Sequence, residues 1–146
     1  MTSAAKTLLT LRRLVVALIG FGLAATALEL WLIGHDEDTR QLVPLIVTVP
    51  ALLALAWYAA APGRASALAL RLAALALIVS GAAGIYLHYR GNMEFQLELD
   101  PSLAGLALAG KILHAKSPPA LAPGHMALLG LLGLAATYRQ NRDQGA

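Results

Sequence analysis

Residues 29–45 read ELWLIGHDEDTRQLVPL. The stretch leaves an apolar run, gathers His35, Asp36, Glu37 and Asp38, and turns apolar again within a few residues. Before it lie residues 14–34, interrupted by Glu29 alone; after it lie residues 42–61, which carry no charge. A helix that crosses the hydrocarbon of a bilayer needs about 20 mostly apolar residues, and both flanks supply them. The stretch therefore reads as a tight polar turn joining two membrane-spanning helices.

Composition points the same way. Of 146 residues, 58% are hydrophobic and 13% charged, and the mean hydropathy is +0.67. Soluble domains carry about 25% charged residues. The formal net charge of +3 is small and scattered, with no basic patch among aromatics, which argues against a nucleic-acid partner. The absence of cysteine excludes disulfides, thiolate metal sites, iron–sulfur clusters and c-type haem attachment.

Two more apolar segments follow: residues 67–88, with Arg71 near the start, and residues 121–138, shorter and rich in glycine. Lys6, Arg12 and Arg13 ahead of the first segment, and the small residues at 25–27, also fit a signal peptide. The apolar run continues through LELWLIG, however, which favours an uncleaved span. Pro44 suits the first turn of the second span, and Pro50 should kink it. The expected fold is all-α: a single transmembrane domain over residues 1–146, built as a membrane-spanning four-helix bundle.

Lysine and arginine near short loops set orientation. Lys6, Arg12, Arg13, Arg64, Arg71, Arg139 and Arg142 share one side of a four-span chain; Arg40, Arg90, Lys111 and Lys116 are left for the other. Both termini are then cytoplasmic in an inner membrane, which the Ala/Leu/Arg bias marks as bacterial. Glu29, Asp36, Glu37, Asp38, Glu94, Glu98, Asp100 and all four histidines fall on or near the outer face. Acids collect there simply because basic residues are held back, and histidine is at ease at an interface. The clustering alone does not make a site.

Residues 90–120 are too long for a plain turn and should form an outer-face cap. EFQLELD alternates strictly from Glu94 to Asp100, which predicts a short extended segment with one wet and one apolar face. Asp100-Pro101 then resembles an N-cap and first helical position, predicting an interfacial helix through about Lys116.

Glu29 is the sharpest single signal, because an ionisable group within a span is costly unless paired, hydrated or protonated. Its expected partners are Arg90, Arg40, His88 or His125. Leu77, Gly81, Gly84 and His88 fall on one helical stripe, and Met126, Gly130, Gly133 and Thr137 on another. Small residues mark faces where membrane helices approach closely, so Gly81, Gly84, Gly130 and Gly133 read as packing positions. His88 then points at a neighbouring helix, and His125 sits beside the top of the second stripe. The candidate ligand set is Glu29, His35, His88, Glu94 and His125, supported by Asp36, Asp38, Arg90, Asn92 and Glu98.

Histidine nitrogen with carboxylate oxygen suits a divalent transition metal, yet no pair has a recognised metal-ligand spacing. Haem between facing histidines ranks below metal, since these histidines lie near helix ends. The plainer alternative is a hydrogen-bonded polar cap sealing the bundle. No phosphate loop, dinucleotide fingerprint or strained nucleophile is present, so no catalytic residue is assigned.

Taken together, ELWLIGHDEDTRQLVPL, HYRGNMEFQLELDPS and LAPGHMALLGLLGL resemble a group of small bacterial inner-membrane proteins with four spans and no assigned activity. The likeness covers roughly residues 28–138. It implies four spans with associated outer motifs, and neither substrate nor cofactor. The expected function is binding of a ligand or partner at the outer site. The alternatives are an accessory subunit of a larger transporter or respiratory complex, or a membrane enzyme using Glu29 and nearby histidines as acid and base. Besides the bilayer, a membrane-protein partner or a second copy of the chain fits the small-residue stripes.

Overall fold

The computed structural model describes residues 2–34, 39–115 and 121–138. They form five helices: α1 (Ser3–Leu32), α2 (Thr39–Ala60), α3 (Arg64–Leu99), α4 (Gly105–Leu113) and α5 (Leu121–Ala136). α1, α2 and α3 are long and apolar enough to cross a membrane; α5 is apolar but has 16 residues. Their outward surface is greasy, with Leu14, Phe21, Leu53, Leu72 and Val79 at least half exposed. That is the surface expected where lipid, rather than water, is the neighbour.

α1, α2, α3 and α5 close into a ring in which α1 touches α2 and α5, and α3 touches α2 and α5. The core inside it is Ile19, Leu23, Ala51, Leu55, Leu70, Leu77, Met126 and Leu129. The tightest seam joins α3 to α5. A Cβ placed on Gly81 would lie 2.6 Å from the Pro123 carbonyl oxygen and 2.9 Å from the Ala127 nitrogen. One on Gly130 would lie 2.5 Å from the Ala74 carbonyl oxygen, and one on Gly84 2.9 Å from the Pro123 Cβ. Pairs 84–123, 81–127, 78–130 and 74–133 step in opposite directions, so α5 runs antiparallel to α3. These glycines let two backbones meet where any side chain would hold them apart.

A clamp closes one end of the ring. The Tyr58 hydroxyl donates to the Ala136 carbonyl at 3.2 Å, reaching across the bundle from α2. Arg71 donates through Nε to the Thr137 hydroxyl at 3.2 Å and through its terminal nitrogen to the Thr137 carbonyl. Arg12 donates to the Tyr138 carbonyl at 3.3 Å. The last carbonyls of a helix have no partner of their own and carry a partial negative charge. Two guanidinium groups and a phenol from three other helices satisfy them here. Arg71, expected only as a topology marker, is thus part of the fold's anchorage.

Several expectations need correction. Residues 94–99 are helical, not extended: α3 runs unbroken from residue 64 to residue 99, past the expected end at residue 88, and no strand occurs among the described residues. Read with a period of 3.6, the same letters pair Arg90 with Glu94 one turn on and set Phe95 beside Leu99. Seven alternating residues with strong helix formers among them did not decide the period. Asp100 caps the C-terminal end of α3 rather than opening α4. Its carboxylate accepts from the Ser102 amide at 3.0 Å and the Ser102 hydroxyl at 2.6 Å, a local turn. α4 starts later, at Gly105, whose positive φ of 55° reverses the chain, and packs back on α3 through the fully buried Ile112. Pro44 lies in the second turn of α2, which begins at Thr39 and continues through both prolines.

Candidate functional site

At the end of the ring opposite the clamp, a cavity of about 580 Å³ is bordered by all four helices. α1 contributes Thr26, Glu29 and, just past its end, Ile33; α3 contributes Ser80, Gly84 and His88; α5 contributes Pro123, His125 and Met126; α2 contributes Pro44. A second cavity of about 580 Å³, bordered by Gln41, Arg90, Asn92 and Glu94, shares Pro44, Gly84 and His88 with the first. His88 stands between the two.

Helix spacing explains the meeting. Arg12 and Arg71 hold adjacent carbonyls of α5, so they lie at one level. From each, the same number of residues leads up parallel helices to Glu29 and His88, a rise of about 25 Å at 1.5 Å per residue. His125 lies about 20 Å above Tyr138 by the same rule, roughly a turn lower. Cα–Cβ bonds tilt toward a helix's N-terminus, which on α1 is toward His125.

His125 leans on α1. Its Nε2 lies 3.4 Å from where a Cβ on Gly22 would stand, and the same spot is 2.7 Å from a Leu129 methyl. Gly22 thus makes room for the imidazole. Thr26, one turn above it, donates its hydroxyl to the Gly22 carbonyl at 2.8 Å. Gly22 was not singled out from the sequence, Thr26 entered only among the small residues at 25–27, and Ser80 reads there as an ordinary helix residue. Their signal was weak but present: Gly22 and Thr26 lie on the same flank of α1 as Glu29, and Ser80 is two turns before His88.

The remaining candidates separate. Arg90 and Glu94 pair with each other, are half exposed and border the second cavity with Asn92. Arg90 is therefore not Glu29's partner. Glu98 is exposed and borders neither cavity. His35, Asp36 and Asp38 fall outside the described residues, as do Glu37 and the side chain of Arg40. His114 is occupied with the Gly110 carbonyl at 2.8 Å.

Among the described residues, neither the Glu29 carboxylate nor the His125 ring has a hydrogen-bond or ion-pair partner. The amino end of α5 borders the same cavity at Leu121 and Ala122. A helix dipole places about half a positive charge there, which offsets the carboxylate in part. Also among the described residues, no three of His, Asp and Glu are grouped to hold a metal ion. Of the metal set expected from sequence, His35 lies outside the described residues, and the described members form no group of three.

Chemically the cavity offers one anionic acceptor, imidazole nitrogens that accept or donate, and hydroxyls at Thr26 and Ser80, set among Leu30, Ile33 and Met126. Such a mixture holds a ligand by a few polar contacts and a larger apolar surface. Comparison of the chain with protein-family models, curated proteins and solved structures gives no match.

Proposed function

We propose that the chain is a four-span bacterial inner-membrane protein that binds a small ligand in the cavity between Glu29, His88 and His125. Both termini are cytoplasmic, and the cavity faces the outer side. The observation that carries this reading is the convergence of all four ring helices on one cavity whose carboxylate and one of whose imidazoles have no hydrogen-bond or ion-pair partner among the described residues. Ionisable groups of apolar helices are ordinarily paired within the protein, as Arg71 is at the other end. The likeness to small four-span proteins supports the span count, with α5 as a short fourth crossing.

Purification from native membranes in mild detergent tests it. Native mass spectrometry should find a small molecule retained near stoichiometrically. Ala122→Trp, which fills the mouth of the cavity from an exposed position on α5, should lose it. Elemental analysis of the same sample decides whether that molecule is a metal. A well-folded protein that retains nothing, and binds nothing from a lipid extract, refutes the reading.

One observation favours the second reading, an accessory subunit. The end of α3 and α4 carry Phe95, Leu99 and Leu106 exposed, Leu106 at 92%. In that case crosslinking from position 106 captures one companion protein, and the cavity is empty.

A further inference from the structure

At the clamp, two cations stand side by side. Arg12 from α1 and Arg71 from α3 donate to the carbonyls of consecutive residues, Tyr138 and Thr137, and α5 touches both of those helices. The end of a helix carries about half a negative charge, which two guanidinium groups outweigh. Lys6, Arg13 and Arg64 lie at the same end, whereas the acids of the described residues, Glu29, Glu94, Glu98 and Asp100, all lie toward the other. Asp143 is the one acid in the chain after Asp100, and a single carboxylate does not balance five cations. Beside this charge runs an apolar stripe. Leu128, Leu131, Ala135 and Tyr138 follow one another at helical spacing along α5. All are exposed, the leucines and the tyrosine at least half so.

Resting on the bilayer setting proposed above and not on the ligand cavity, we infer that this end seats the phosphate of an anionic phospholipid against Arg12 and Arg71, with an acyl chain along the α5 stripe. Depth supports it. Arg12 and Arg71 lie about 25 Å below Glu29 and His88, close to the hydrocarbon thickness of about 30 Å. A bilayer with one border near Glu29 therefore has its other border near the clamp. With 16 residues, α5 is about 24 Å long, and a crossing shorter than the hydrocarbon draws the surrounding lipid inward. Phosphate oxygens then reach the level of the guanidinium groups. Each guanidinium has five N–H donors and meets phosphate as a two-bond fork. Thr137 and Tyr138 engage two nitrogens of Arg71 and one of Arg12, which leaves donors to spare. Net charge selects the lipid: a zwitterionic head brings its own cation to an end already rich in them, and an anionic head does not. The lipid completes the anchorage of α5, and its chain buries the exposed leucines.

The test offers the full chain, in mild detergent, equal amounts of dioleoyl phosphatidylglycerol and dioleoyl phosphatidylcholine, and reads retained lipid by native mass spectrometry. Phosphatidylglycerol should be retained at least tenfold over phosphatidylcholine. Equal retention, which is the result if Asp143 already neutralises the pair, overturns the inference. Arg12→Gln should lower retention of the anionic lipid about tenfold. Arg64→Gln removes the same charge two turns from Arg71 and should change retention less than twofold. Equal losses overturn the site in favour of diffuse attraction to the whole end. Should Arg12→Gln misfold, amide exchange of the unaltered protein in phosphatidylcholine nanodiscs still decides. Added phosphatidylglycerol should slow exchange across residues 130–138 and leave residues 26–32 unchanged. Slowing at residues 26–32 alone, or nowhere, overturns the inference. Inorganic phosphate and glycerol 3-phosphate should compete at least a hundredfold more weakly than the lipid. Competition as strong as the lipid's assigns the clamp to a soluble phosphate and overturns the acyl chain. Each of these results leaves the Glu29 cavity to be judged by its own ligand retention.

Discussion

The two ends of the ring handle charge in opposite ways. At one end polar groups that enter the bundle are used: Tyr58, Arg71 and Arg12 meet successive carbonyls at the end of α5. At the other, Glu29 and His125 border a cavity and make no hydrogen bond or ion pair with a described residue. The same elements and nearly the same set of helices make both. The difference teaches that the first end is anchorage, where polarity is spent on the fold, and the second is held open, with polarity left for something else.

That contrast is broken most readily at the α3–α5 seam. Gly130→Ala puts a methyl 2.5 Å from the Ala74 carbonyl oxygen and 2.7 Å from an Ile78 side-chain carbon. Backbone cannot yield as a side-chain tip can, so the helices must part, at about 3 kcal/mol. Reversible unfolding in mixed detergent micelles measures it. A wild-type-like Gly130→Ala would show that the seam is looser than the glycine contacts require.

Next in size is the clamp. Arg71→Ala removes charged hydrogen bonds to the end of α5 and should cost about 2 kcal/mol. Loss should concentrate in α5, visible as faster amide exchange across residues 130–138. Glu29→Gln is the counterpart at the open end. With no partner to lose among the described residues, it should leave stability unchanged or raised while abolishing ligand retention. Destabilisation by Glu29→Gln as large as that by Arg71→Ala would erase the distinction between the two ends. Smaller again is Gly110→Ala in α4, where an added Cβ meets nothing within 4 Å. Helix propensity alone should then raise stability by about 0.5–1 kcal/mol.

What the sequence made legible follows the strength of each physical signal. Apolar runs near bilayer length located α1, α2 and most of α3, because the cost of burying charge in hydrocarbon leaves little freedom. Periodicity placed His88 on a small-residue stripe and His125 beside another, both near helix ends; it left the direction of Glu29 open, and the structure has Glu29 and His125 exposed at the border of the cavity where those ends meet. The α3 extension was misread because EFQLELD fits two periods, and the choice was settled by its being continuous with a helix already formed. The clamp was hidden for another reason. Arg71 and Tyr58 act on backbone carbonyls, and nothing in a sequence marks which carbonyls a fold will leave without donors. Gly22's service to His125 is a contact between distant helices and has no local pattern.

The smallest effect concerns Asp100, at the turn where α3 ends. Hydrogen bonds from the Ser102 hydroxyl and amide hold its carboxyl below the usual carboxylate range, with a lesser pull from Lys111. A carboxyl depressed in the folded state binds its proton more weakly there than in the unfolded chain. Its contribution is therefore fully present above the unfolded value and is lost as pH falls through the folded one. Ser102→Ala removes the hydroxyl, so the Asp100 resonance in a carbon-detected NMR titration should move back toward the ordinary value. Because the group is open to solvent, the accompanying change in melting temperature should be barely measurable, and confined to acid below about pH 4. Sensitivity of that variant near neutral pH would have to come from another group, and would show that the α3–α4 turn is coupled to the histidines at the cavity rather than being a local chain reversal.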